Sequence, residues 1–174
     1  TVLEKKVNSS NINEILKLND FNENLDLFSL DIDGIDYWII KELPENFAKI
    51  AVLEFNPNFG SSAKVTVPNI KEFDRSVYHY SNLCFGASLA AIIQIMHEKN
   101  FIFIGTNQFR CNAFFVNKDY IKMINVKIPD QNNIDEFVNS YFRESRDKEG
   151  NLNYLDKKDI LETIKDCEVI DLNS

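Results

Sequence analysis

Cysteine is scarce in this 174-residue chain, and Cys84, Cys111 and Cys167 are scattered without CxxC spacing. The only histidines are His79 and His97, so no Cys/His set has the spacing of a structural zinc site. An odd, scattered set of cysteines reads as reduced thiols in a cytoplasmic chain. Clustered positive charge is also missing. There are 19 Lys and Arg against 27 Asp and Glu, a formal net charge of -8. A phosphate-binding face needs grouped Lys and Arg, so nucleic acid is excluded as a partner. No apolar run approaches a membrane span and no signal peptide opens the chain, so no membrane partner is expected. Glycine is rare, and the stretch from Thr1 to Asp26 contains none. That stretch therefore has no glycine turn to close around a cofactor.

What is present is the material of a folded domain: 44% hydrophobic and 12% aromatic residues, in a chain long enough for a sizeable core. Asn11 with Glu14 three residues later reads as a capping box opening a helix. Leu27–Leu30 and Lys49–Phe55 read as buried strands, with a short helix over Asp36–Leu43 between them. Phe59 to Asn82 is a long irregular stretch with a short strand at Lys64–Val67. Stretches of this kind inside a compact domain are usually functional or mobile. Gly86 to Asn100 is the clearest helix, with Leu89, Ile92, Ile93 and Met96 on one face. Phe101–Gly105 and Ala113–Val116 form an antiparallel hairpin. Composition shifts after Pro129, where Ile134–Arg146 and Lys157–Asp166 read as charged amphipathic helices. The expected fold class is α/β, with residues 1–128 as one unit and 129–174 as a helical appendage. The chain opens at Thr1 on residues that look like the approach to an inner element, as expected of a processed chain or a fragment.

The motif that points to chemistry runs from Leu27 to Trp38. An apolar strand ends in Asp31, Asp33 and Asp36, with Gly34 among them. In a parallel sheet, the carboxyl end of such a strand opens on the ligand crevice. Carboxylates gathered there repel one another and call for a cation, a hydrogen-bond network or a polar substrate. Glu54 ends the next strand, and a buried carboxylate needs a partner. Gly34 is expected to supply a positive φ and Asp36 to cap the following helix. Tyr37 or Trp38 can wall a pocket, the other packing in the core. Tyr78, His79 and Tyr80 offer a lid with His79 as a base, against a simpler reading of His79 as exposed.

In order, four segments resemble the FkbM-like, S-adenosylmethionine-dependent methyltransferases. They are Ser29-Leu30-Asp31-Ile32-Asp33-Gly34-Ile35-Asp36-Tyr37-Trp38, Val52-Leu53-Glu54-Phe55-Asn56-Pro57, Phe85-Gly86-Ala87-Ser88-Leu89 and Asn112-Ala113-Phe114-Phe115-Val116. The resemblance spans Asn11 to Lys118 and implies a partial Rossmann-like methyltransferase sheet with a terminal antiparallel hairpin and C-terminal helices. The family's first strand and glycine-rich cofactor loop have no counterpart here, so the main S-adenosylmethionine site is expected outside this chain. The resemblance implies Asp31, Asp33 and Glu54 as catalytic residues. It implies Tyr37, Tyr80, Asn107 and Asn112 around a small-molecule or glycan acceptor that offers a hydroxyl or amino group. The acidic strand end is also similar to metal-dependent catechol and caffeoyl-CoA type O-methyltransferases. That similarity implies Mg²⁺ or Mn²⁺ on Asp31, Glu54 and Asn56. Two alternatives stand beside this reading. A haloacid-dehalogenase-type phosphatase would use Asp31 as nucleophile and Asp33 as acid/base, and a non-catalytic domain would only bind.

Overall fold

The computed structural model describes residues 2–21, 25–140 and 144–173. Its centre is a four-stranded mixed sheet in the order β1-β2-β5-β4. β1 (Leu25–Leu30) and β2 (Ala48–Glu54) are parallel, while β5 (Asn112–Asn117) is antiparallel to both β2 and β4 (Phe101–Thr106). The α/β class and the closing hairpin are thus present, and the hairpin's second strand sits between β2 and β4.

Parallel strands need a crossover, which α2 (Asp36–Glu42) supplies between β1 and β2. α4 (Leu89–Glu98) leads into β4 and packs against α2. Leu89, Ile92 and Met96 are buried in the main core, with Ile93 packed at its edge. α4 begins three residues later than its composition suggests. Gly86 takes φ +62°, and the Ser88 hydroxyl caps the helix by accepting from the Ala91 N–H at 3.2 Å. On the sheet, Phe28, Leu30, Ala51, Leu53, Phe103 and Phe115 are all buried. Side chains alternate along a strand, so Leu27 and Ile50 point to the other face, where they are 58% and 38% exposed. The core therefore lies on one side of the sheet.

α1 (Ile12–Leu18) forms without the expected capping box, because the Asn11 side-chain oxygen accepts from the Asn8 N–H instead. In the irregular stretch, β3 (Val65–Thr66) and the one-turn α3 (Arg75–Tyr78) are the regular pieces.

The tail departs most from expectation. Of the helix expected over 134–146, only a 3₁₀ turn at Asp135–Phe137 is found, and Arg146 bridges to Leu152 in extended backbone. Residues 141–143 of that span lie outside the described residues. Asn, Asp and Ser crowd this segment, and their side chains compete for backbone groups. The Ser145 hydroxyl, for example, accepts from the Leu155 N–H at 3.0 Å. Ile134 and Val138 instead join the main core as single residues. α5 (Lys157–Thr163) does form, capped by Asp156. β6 (Ile170–Asp171) pairs antiparallel with β3.

Cys84 and Cys167 are joined as a disulfide across 83 residues, their Cα atoms 6.0 Å apart, and Cys111 is free. This corrects the reading of three reduced thiols, and the cytoplasmic expectation loses the ground on which it stood. Among the described residues, no helix is long and apolar enough to cross a membrane.

Candidate functional site

Sheet register builds the site. Leu30 is paired with Leu53, and Leu53 with Ala113, all three facing the core. The neighbouring residues Asp31, Glu54 and Asn112 therefore project to the opposite side in one row across three strands. All three line a cavity of about 230 Å³ at the carboxyl ends of β1 and β2. The Asn112 side-chain amide donates to Asp31 Oδ2 at 3.2 Å.

Two buried acids hold the turn that leaves β1. Asp36 accepts from the Ile32 N–H at 3.2 Å and from the Gly34 N–H at 3.0 Å. Glu54 Oε2 accepts from the Asp33 N–H at 3.1 Å. Three consecutive amides thus end on carboxyl groups. Asp36 does not cap its helix as expected, because Ile35 holds the cap position and the Asp36 side chain closes the turn. Nor does Gly34 supply the positive φ, which falls on Asp33 at +52°. Glycine is required at 34 for a different reason: a Cβ there would lie 2.9 Å from the Phe73 ring.

Gathering these acids out of water alters their chemistry. Burial, with help from Asp36, Asp31 and Asp33, pushes Glu54 up to about 9. Burial raises Asp36 to about 6, against the pull of its backbone hydrogen bonds. Burial and then Asp33 raise Asp31, while Arg75 opposes. At neutral pH, Glu54 is therefore a neutral carboxyl group able to donate a hydrogen bond beside the exposed carboxyl of Asp31.

Sequence reasoning missed the opposing wall. Arg75 Nη1 meets Asp33 Oδ1 at 2.6 Å, and its Nη2 lies 3.8 Å from Glu144, which Arg146 approaches at 3.7 Å. The Arg75 guanidinium also sits 5.2 Å from the centre of the Phe85 ring. Asp74 positions Arg75 by capping α3, accepting from the Ser76 N–H at 2.8 Å. The available signal was the long irregular stretch itself, in which Arg75 is the single arginine. Nothing local in the sequence marks Glu144, which comes from the tail.

Other expected residues lie elsewhere. Asn56 is fully buried and its side chain is engaged three times: it donates to the Leu83 and Phe85 carbonyls and accepts from the Asn58 N–H. It is a strut for the cavity wall and is not available to a metal, which corrects its place in the Asp31, Glu54, Asn56 set. Among the described residues, no three His, Cys, Asp or Glu side chains are arranged to hold a metal ion. Tyr37 is buried with its ring edge on Trp38 and does not line the cavity. Tyr80 stacks on His79 and borders a separate cleft near Arg146 and Lys148. Asn107 acts at one remove: its side-chain oxygen accepts from the Cys111 and Asn112 N–H groups and so shapes the loop that presents Asn112. His79 is neither lid nor surface. Nδ1 is 2.7 Å from the Ser81 hydroxyl, and Nε2 lies 3.5 Å from Asp166. The phosphatase arrangement finds no support, since Asp33 is taken by Arg75 and, among the described residues, no lysine lines the cavity.

A larger cleft of about 620 Å³ runs beside α4 past Ser61, Lys64 and His97. It lies away from the strand ends and gathers no set of acids, so the smaller cavity is the better candidate. Searches of family models, of curated proteins and of solved structures found no match to this chain.

Proposed function

We propose that this chain is the acceptor-binding side of a Rossmann-like, S-adenosylmethionine-dependent methyltransferase domain. Its cavity takes a hydroxyl or amino group of a sugar, glycan or small metabolite. The observation that carries this reading is the row of Asp31, Glu54 and Asn112 across three strand ends, facing Arg75 and Phe85 over one cavity. The parallel β1–β2 pair and the closing antiparallel hairpin support it. Asp31 offers an acceptor for the ligand's proton, the neutral carboxyl of Glu54 offers a donor, and Asn112 fixes Asp31. Such a row aligns a ligand, and alignment accounts for much of the rate of group transfer. No step is assigned to a metal, because Asn56 is not free to serve as a ligand. The glycine-free stretch from Thr1 to Asp26 supports placing the cofactor's main site outside this chain.

The test is a nuclear magnetic resonance titration of the chain with glucosamine and with glucose. Shifts confined to Asp31, Asn112, Arg75 and Phe85, and lost in Asp31→Asn, are expected for at least one of the two. Shifts that avoid the cavity, or that survive Asp31→Asn, overturn the assignment.

A further inference from the structure

The acidic turn has a second side. Asp31 and Asp33 face the cavity described above, whereas Ile32 and Gly34 line a different cleft of about 240 Å³. Its floor is apolar, made by Ile32, Ile35, Phe73 and Val7. Its rim carries Lys5, Lys6 and Lys71. In a chain of net charge -8 this is a local concentration of positive charge. Lys6 is paired with Glu72 at 3.0 Å, but both side chains are more than half exposed, and such pairs are weak. Among the described residues, no ion pair involves Lys5 or Lys71.

Two features of the turn shape this cleft. Ile32 is 39% exposed between two aspartates, a costly place for a branched apolar side chain. Gly34 lets the Phe73 ring close against the turn, which sets one wall of the cleft. An apolar floor under a cationic rim matches a ligand with one anionic end and one apolar end. Lysine ammonium groups are point charges that accept a carboxylate or a phosphate alike.

We propose that this cleft binds a small, soluble amphipathic anion: one carboxylate or phosphate group on an apolar body. At about 30 Å³ of liquid volume per water-sized group, the space of about 240 Å³ holds roughly eight non-hydrogen atoms, enough for an eight-carbon body whose charged head group stays at the lysine rim. This site is separate from the acid-lined cavity, because the two share no lining residue.

Calorimetric titration of the 174-residue chain with octanoate and with octyl phosphate tests the proposal. One ligand per chain is expected, and the tighter of the two identifies the head group. Octanol and octylammonium should bind at least tenfold more weakly, and inorganic phosphate alone should give no measurable heat. The double variant Lys5→Glu/Lys71→Glu should weaken the better ligand at least tenfold. Both lysines are exposed, so its circular dichroism should match the parent. Ile32→Gln, which keeps the rim and spoils the floor, should also weaken it. Equal binding of octanol and octanoate overturns the proposal, as does indifference to the lysine double variant. Binding to phosphatidylglycerol vesicles without binding of either soluble probe also overturns it, because the surface then recognises a membrane.

Discussion

From Leu25 to Asn117 the chain buries whole strand faces and helix stripes, whereas from Lys118 to Asn173 it buries single residues. The first region supplies Phe28, Leu53, Ile92, Phe101, Phe103 and Phe115 to one continuous core. The second supplies Ile134 and Val138 to that core and Ile160 and Ile164 to a small cluster beside Cys84. Phe137 and Leu172 pack at the edge of that core, and individual polar contacts tie much of the rest of the described tail. Gln131 exchanges hydrogen bonds with both backbone groups of Phe103, Tyr78 donates to the Glu168 carbonyl at 2.7 Å, and Leu172 N–H donates to Lys64. The difference separates two sources of order: shared apolar burial in the sheet region, and pairwise ties plus one disulfide in the tail. The candidate site spans both, since Arg75 reaches from Asp33 at the sheet to Glu144 in the tail.

The comparison breaks most visibly by removing a core side chain. Phe115 is fully buried against Phe103 in the centre of the sheet. Phe115→Ala should cost about 3–5 kcal/mol, read as loss of stability in urea. Both regions should unfold together, because Ile134 and Val138 of the tail pack on the core that Phe115 helps to hold. A tail that keeps its hydrogen-exchange protection after the sheet has lost its own would show that the tail folds by itself.

A smaller effect is expected from the opposite end. Cys167→Ser opens the link to Cys84 and should cost about 2–4 kcal/mol, the usual range for a disulfide closing a long loop. Its signature is place, not size. Amides of α5 and β6 should lose exchange protection while β1, β2 and β5 keep theirs. Equal loss across the sheet would mean that the disulfide holds the whole fold and that the two regions are one.

The same division explains what the sequence reveals. Periodic apolar residues fix β1, β2, α4 and the hairpin, because each presents a face to a common core. The row of Asp31 and Glu54 was legible too, since both acids follow buried strands. Asn112 was legible as part of the hairpin loop, but its role beside Asp31 comes from register. Arg75 and Glu144 were not, because an ion pair between residues 69 apart leaves no local pattern. Asn56 misled for a related reason: the similarity to metal-dependent O-methyltransferases offers it as a ligand, yet its bonds go to the Leu83 and Phe85 carbonyls, which no spacing in sequence predicts. The helix over 134–146 was overestimated because the i, i+4 pair of Ile134 and Val138 occurs without a helix around it, whereas α5 forms near its expected place.

The smallest step, at most about 1.4 kcal/mol for each pH unit, bears on the turn that joins the two sides of the site. Folded Glu54 keeps its proton up to about pH 9, whereas an exposed glutamate releases it near 4.5. Between these values folding takes up a proton, so the stability this group contributes is full below about pH 4.5 and is lost as pH rises towards 9. Asp36 acts in the same direction over a lower window, from 3.8 to about 6. Above pH 6, Glu54 is therefore the member of the pair that still titrates. The slope should be at most about 1.4 kcal/mol per pH unit. Glu54→Gln keeps a carbonyl oxygen for the Asp33 N–H and carries no titrating proton, so it should flatten the profile between pH 6 and 9 and leave only the contribution of Asp36 below pH 6. Urea midpoints at pH 6, 7, 8 and 9 for both proteins decide this. A parent profile already flat above pH 6 would mean that Glu54 is ionised in the folded chain, and the cavity would then lose the neutral donor assigned to it.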